Sequence, residues 1–257
     1  MRRSNLHRIM RLLRCARNDI IKEMILFVVG TLFILTFLCL ATYRTAVFLR
    51  RVRLNFNLLL LPAENLVRLV LILVCVWLAE QSGQPYARFG WSAAQPARDI
   101  VVGFTIGVLV ALVLPPLTQW AIARFGARVY SPVVVRSILP RNRREWLLVP
   151  VALIPSVFLE ELLFRALLLG GLAIFVSPIL LAILWSMIFG AMHLPQGVLG
   201  IVVAALLGLL LSALFLATAS LVAPVIAHYV IDLLQLVAAS GDKRWLENYE
   251  ANASNCS

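Results

Sequence analysis

The sequence predicts an all-α fold, a polytopic bundle of transmembrane helices with about seven spans, an eighth being allowed. Three observations predict it. Hydrophobic residues make up 62% of the chain and charged residues only 14%, against roughly 25% charged in soluble domains. The mean hydropathy is +0.94, and the apolar residues fall in runs of about the 20 residues that a helix needs to cross a bilayer. No apolar–polar alternation supports the strands of a barrel, and an open sheet edge cannot be satisfied in lipid. So apolar a chain would expose too much hydrophobic surface as a soluble globule.

The spans are expected near residues 24–43, 58–79, 100–122, 147–169, 173–193, 197–218 and 220–239. Trp77, Trp120, Trp146 and Trp245 fall at or near span ends, as interfacial tryptophans do. Gly103 and Gly107 form a GxxxG in the third span, a pattern that lets helices approach closely. The longest polar stretches are 80–99 and 123–145. Neither an internal repeat nor a low-complexity segment interrupts the pattern.

The net charge of +11 would suggest nucleic acid in a soluble protein. Here the basic residues lie mostly between apolar runs, where they orient the chain and meet anionic lipid. The bilayer is therefore the expected partner, and nucleic acid is not. Arg44, Arg50, Arg51 and Arg53 precede the second span, and Arg124, Arg128, Arg136, Arg141, Arg143 and Arg144 precede the fourth. Two spans separate these groups, so both can be cytoplasmic, together with Lys243 and Arg244 near the C-terminus. Residues 1–22 carry seven further basic side chains, which one more crossing would place outside. Either 24–43 does not cross fully, or residues 1–23 are not native. The stretch from Arg2 to Asp19 resembles the translation of a repetitive bacterial DNA element, which predicts a start at Met24 and a bacterial source. The alternative is a basic amphipathic helix on the membrane surface. Cys15, Cys39, Cys75 and Cys256 form no CxxC pair, so neither a disulfide framework nor a zinc cluster is expected from them.

Between Trp146 and Ala239 the only charged residues are Glu160, Glu161, Arg165 and Asp232, joined by His193 and His228. An ionisable group at bilayer depth costs roughly 2.5–3.5 kcal/mol even on the mildest scale, and marks function by default. Glu161 and Arg165 are i,i+4 and can neutralise one another. Glu160 lies about 100° further round the helix and is free for chemistry. Phe189 and His193 are i,i+4 before Pro195, and His228 and Asp232 are i,i+4 on the last span. Pro155, just ahead of Glu160, is expected to kink its helix and open a cavity.

Glutamate and histidine facing one cavity suit amide hydrolysis: the carboxylate takes a proton from water and returns it to the leaving amine, and a second histidine donates to the oxyanion. Alternatively, Glu160, His193 and His228 are a two-histidine, one-carboxylate set for a divalent metal such as zinc. No HExxH is present. The residues alone leave both chemistries open, and no cofactor is required by them.

At these positions the chain resembles the CPBP intramembrane proteases, the Abi family of CAAX proteases and bacteriocin-processing enzymes. Its pattern EExxxR, FxxxH and HxxxN or HxxxD is matched in order by Glu160–Arg165, Phe189–His193 and His228–Asp232. The resemblance covers about 146–240, giving a four-helix catalytic core behind an N-terminal transmembrane region at 24–145 and ahead of a polar tail at 241–257. It implies an endopeptidase, metalloprotease-like if metal is bound, that cuts a membrane protein or peptide such as a bacteriocin, pheromone or membrane regulator in the bacterial cytoplasmic membrane. Glu160 becomes the general base, His193 its partner, and His228 with Asp232 the oxyanion-stabilising pair, with Glu161, Arg165 and Phe189 in support. An aspartate must be protonated to donate where asparagine donates directly, so Asp232 is also placed to orient His228.

Two other functions use the same residue types. A proton- or ion-coupled transporter also needs intramembrane carboxylates and histidines, but no inverted repeat is visible. A non-catalytic immunity or scaffold protein is the other. Ser156, Ser186 and Ser212 lack a base at recognisable spacing, so a serine nucleophile of the rhomboid kind is not expected. Glu64 and Arg68 form a further i,i+4 pair that reads as structural.

Overall fold

The structure, a computed structural model, describes residues 2–52 and 54–241, with side chains from residue 21 onward except that of Arg50. It is a helical bundle. Helix α1 spans Arg2–Arg51, α2 Pro62–Gln81, α3 Pro96–Phe125, α4 Val133–Ile138, α5 Arg143–Glu161, α6 Pro178–Met192, α7 Gly197–Thr218 and α8 Val222–Gly241. Helix α5 continues as a π-helical segment, Leu162–Gly170, and a 3₁₀ turn, Gly171–Ile174. Most of the polar tail and Trp245 lie outside the described residues.

Six segments among the described residues are long and apolar enough to cross a membrane: Ile21–Leu49, Pro62–Gln81, Pro96–Phe125, Arg143–Ile174, Leu194–Thr218 and Val222–Gly241. Their outward faces carry side chains such as Phe33, Leu73, Leu112, Leu147 and Leu206, which in water would be a large exposed apolar surface. Two expected spans differ. The one at 173–193 is a helix of only 15 residues, Pro178–Met192, because Pro178 opens it and Pro195 prevents its continuation past His193. The first extends through the basic residues that follow it, because between Thr31 and Arg51 there is neither glycine nor proline, and arginine is a good helix former.

The chain breaks where its residues dictate. Gly126, at φ +88°, ends α3. Asn142 caps α5 by accepting from the Glu145 N–H at 3.0 Å, which satisfies one of the open donors of the first turn. Asn57 donates to the Ile138 carbonyl at 2.8 Å and so ties the α1–α2 connection to α4.

Buried apolar residues centre on the π-helical segment. Leu162, Leu163, Leu167 and Leu168 are fully buried, against Phe27 of α1, Cys75 and Leu78 of α2 and Trp185 of α6. The Trp185 indole donates to the Leu168 carbonyl at 2.9 Å, giving its polar tip a partner inside the core. Helix α3 packs along α8 through the expected glycines: Gly103 lies on the Ala223 carbonyl, and a Cβ at Gly107 would come within 2.8 Å of Val230 and 2.9 Å of the Ala227 carbonyl. The GxxxG thus sets the position of the helix that carries His228 and Asp232. Gly107→Leu is expected to lower stability by about 1–3 kcal/mol through overpacking, whereas Leu112→Phe on the exposed face of α3 should change it by less than about 0.5 kcal/mol. Thermal unfolding of the detergent-purified proteins measures both.

Candidate active site

The two adjacent glutamates sit at the end of α5, where the backbone widens into the π-helical segment, a feature frequent at functional sites. Their side chains part, as one helical step requires. The Glu161 side chain is fully buried, and that of Glu160 is 33% exposed, its open surface facing a cavity inside the bundle. Both nevertheless reach one imidazole from opposite edges: His228 Nδ1 lies 2.7 Å from Glu161 Oε1, and Nε2 lies 3.9 Å from Glu160 Oε2. Asp232, one turn along α8, brings its Oδ2 to 3.5 Å from the same Nε2.

Arg165 anchors this arrangement. It donates to Glu161 Oε1 at 2.9 Å and to the Gly208 carbonyl of α7 at 3.1 Å, and its guanidinium lies 5.1 Å from the Phe189 ring centroid on α6. The expected Glu161–Arg165 pair therefore forms, but it is not closed on itself. The bond from His228 to Glu161 spans 67 residues and leaves no trace in local spacing. Helix α7 can approach because Gly208 lies against Ser186 of α6, its notional Cβ 3.0 Å from that of Ser186.

Phe189 separates the two histidines, its ring 4.8 Å from His193 and 6.0 Å from His228 between centroids. It stands against Arg165 on one side and lines the cavity on the other. His193, just past the end of α6, donates from Nδ1 to the Phe189 carbonyl at 2.8 Å. In the neutral ring this fixes the tautomer, so Nε2 keeps its lone pair. For His228 the Nδ1–H likewise donates to a carboxylate, and Nε2 is the nitrogen beside Glu160 and Asp232.

Glu160, His193, His228, Asp232 and Phe189 all line one cavity of about 520 Å³. Its other wall comes from outside the catalytic core expected from the motifs, with Thr42 and Ala46 of α1, Glu64 and Arg68 of α2 and Ile138 of α4. This revises the reading of Glu64 and Arg68: the pair forms, at 3.8 Å, but on the cavity that the charged motifs also line. Ser156 also reaches the cavity, whereas Ser186 and Ser212 are buried outside its lining. Among the described residues, no three His, Cys, Asp or Glu side chains are grouped to hold a metal ion. The alternative set Glu160, His193 and His228 is not drawn together here as a ligand group, and no step is derived through a metal.

A helical integral membrane protein with titratable groups from four of its helices around one cavity is the class that fold and site define. Residues 142–234 match the family described as Rce1-like, type II CAAX prenyl endopeptidase, and this is the segment in which the chain matches the CPBP/CAAX protease family. No curated protein and no solved structure matches the chain. All the motif residues named above lie inside the matched segment.

The division between the two carboxylates is measurable. Glu161→Ala strands Arg165 in the core and should cost about 3–5 kcal/mol, the usual result of removing one partner of a buried pair. Glu160→Gln, facing the cavity, should change stability by less than about 1 kcal/mol. Equal losses in thermal unfolding would contradict the assignment of one carboxylate to the fold and the other to the cavity.

Proposed function

We propose that the protein is an intramembrane endopeptidase that hydrolyses a peptide bond in a membrane-associated protein or peptide, with Glu160 as general base. One observation carries the reading. Within the segment that matches a protease family, Glu160 and two histidines from separate helices open onto one cavity, with Glu160 Oε2 3.9 Å from His228 Nε2. The family match is to proteases and lends nothing to a transporter.

The steps follow from the atoms. Water held between Glu160 and His193 Nε2 gives a proton to the Glu160 carboxylate, and its oxygen bonds to the scissile carbonyl carbon. The carbonyl electron pair moves onto oxygen. With both ring nitrogens protonated, His228 keeps its Nδ1–H on Glu161 and offers Nε2–H to that oxyanion, a preorganised donor of the kind that stabilises tetrahedral intermediates. Collapse re-forms the carbonyl and breaks the C–N bond, and the leaving amine takes the proton back from Glu160. Asp232, beside Nε2, holds the imidazole in place and balances its charge. Arg165 and Glu161 touch no reacting atom and act by positioning His228.

Comparison of membrane proteomes from cells with the wild-type protein and with Glu160→Gln identifies the substrate. Cleavage by the variant should fall about 10²–10⁴-fold, the usual contribution of a general base, and undiminished cleavage would refute the assignment. On a peptide taken from that substrate, Asp232→Asn is expected to stay within about tenfold of wild type, roughly 1.4 kcal/mol in the barrier, because the amide can donate where the aspartate orients. Asp232→Leu should lose at least about 100-fold, measured as kcat.

A further inference from the structure

Arg68 lies outside the matched segment and has no role in the reaction described above. It sits on α2, in a span crossing the membrane, and its side chain is 18% exposed onto the cavity that holds Glu160 and Asp232. A guanidinium carries five N–H donors in a planar fork. Its contacts here are long: Glu64 Oε2 at 3.8 Å, from a carboxylate that is itself 46% exposed, and Asn65 Oδ1 at 3.4 Å. Arg165, the other arginine of the core, is by contrast held at 2.9 and 3.1 Å with only 1% exposure. An arginine in an apolar span is costly without partners, and beyond these long contacts Arg68 has a charge interaction with Glu160 and lines the cavity.

We infer that Arg68 is a specificity-determining residue that binds a carboxylate of the substrate peptide and so sets which bond reaches Glu160. This rests on the endopeptidase reading above. The charge pattern supports it. Glu160 and Asp232 line the same cavity, so an anionic group entering it is repelled by them and attracted at Arg68, whose charge also acts on Glu160. An arginine fork matches a carboxylate bidentately, which fixes orientation as well as position. The carboxylate has two sources, the C-terminus of the peptide or an acidic side chain near the scissile bond.

Binding of fluorescent apolar peptides to the detergent-purified full chain tests this. Three forms of one sequence are used: a free C-terminal acid, its amide, and the amide with one glutamate. The Glu160→Gln protein serves for binding, so turnover does not enter, and wild type is assayed for cleavage in parallel. The acid, the glutamate peptide or both should bind at least about tenfold tighter than the plain amide. Whichever form gains identifies the source. Adding Arg68→Gln should remove the gain to within about twofold while leaving the plain amide unchanged, and Arg68→Lys should restore part of it. Equal binding of all three forms overturns the inference, as does an equal loss on all three in Arg68→Gln, which would make Arg68 a support of the fold or of Glu160. Failure of the wild type to cleave any form bears instead on the endopeptidase reading, since the binding comparison stands without cleavage.

Discussion

The architecture of the site depends on one buried ionic chain, running from the Gly208 carbonyl through Arg165 and Glu161 to His228. An unpaired charge in that position would carry a desolvation cost of several kcal/mol, so each member forces the next into place. The chain joins the end of α5 to α7 and α8, and Phe189 on α6 closes it from the side. Four helices are thus held in register by polar contacts that lipid cannot replace. Because between apolar helices the hydrophobic effect gives no preference for one neighbour over another, such contacts and the glycine approaches of α3 to α8 and of α7 to α6 do much of what a water-driven core does in a soluble protein.

The same chain divides labour between two adjacent glutamates. Glu161 is consumed in holding His228, and that leaves Glu160 at the cavity in long contact with Nε2. A carboxylate bound tightly by an arginine is a poor base, whereas one facing a cavity is accessible to water and peptide. The two roles are set by direction alone, one helical step apart.

The helical class was legible because composition and run length are global properties, and the motif residues because charges in apolar helices stand out. Gly103 and Gly107 were legible as a close-packing signal, and α8 is what they pack against. Two things were hidden. The α6 span read as a full crossing because apolar character continues on both sides of it, while Pro178 and Pro195 shorten the helix itself. The cavity wall formed by α1, α2 and α4 was invisible because it contributes mainly ordinary apolar side chains. Its one local signal, Glu64 and Arg68, is self-explanatory as an i,i+4 pair until the fold puts it on the same cavity as Glu160.

Helix α6 has 15 residues, a rise of about 22 Å at 1.5 Å per residue, while the hydrocarbon layer is about 30 Å thick. Lipid beside so short a helix must thin, or the helix end must sink below the headgroups, at a modest cost per ångström of mismatch. Where the lipid thins, His193, which stands directly at that end, is brought near the water boundary without leaving the protein interior. Such thinning would bend the bilayer toward the place where a hydrolytic reaction draws its second reactant.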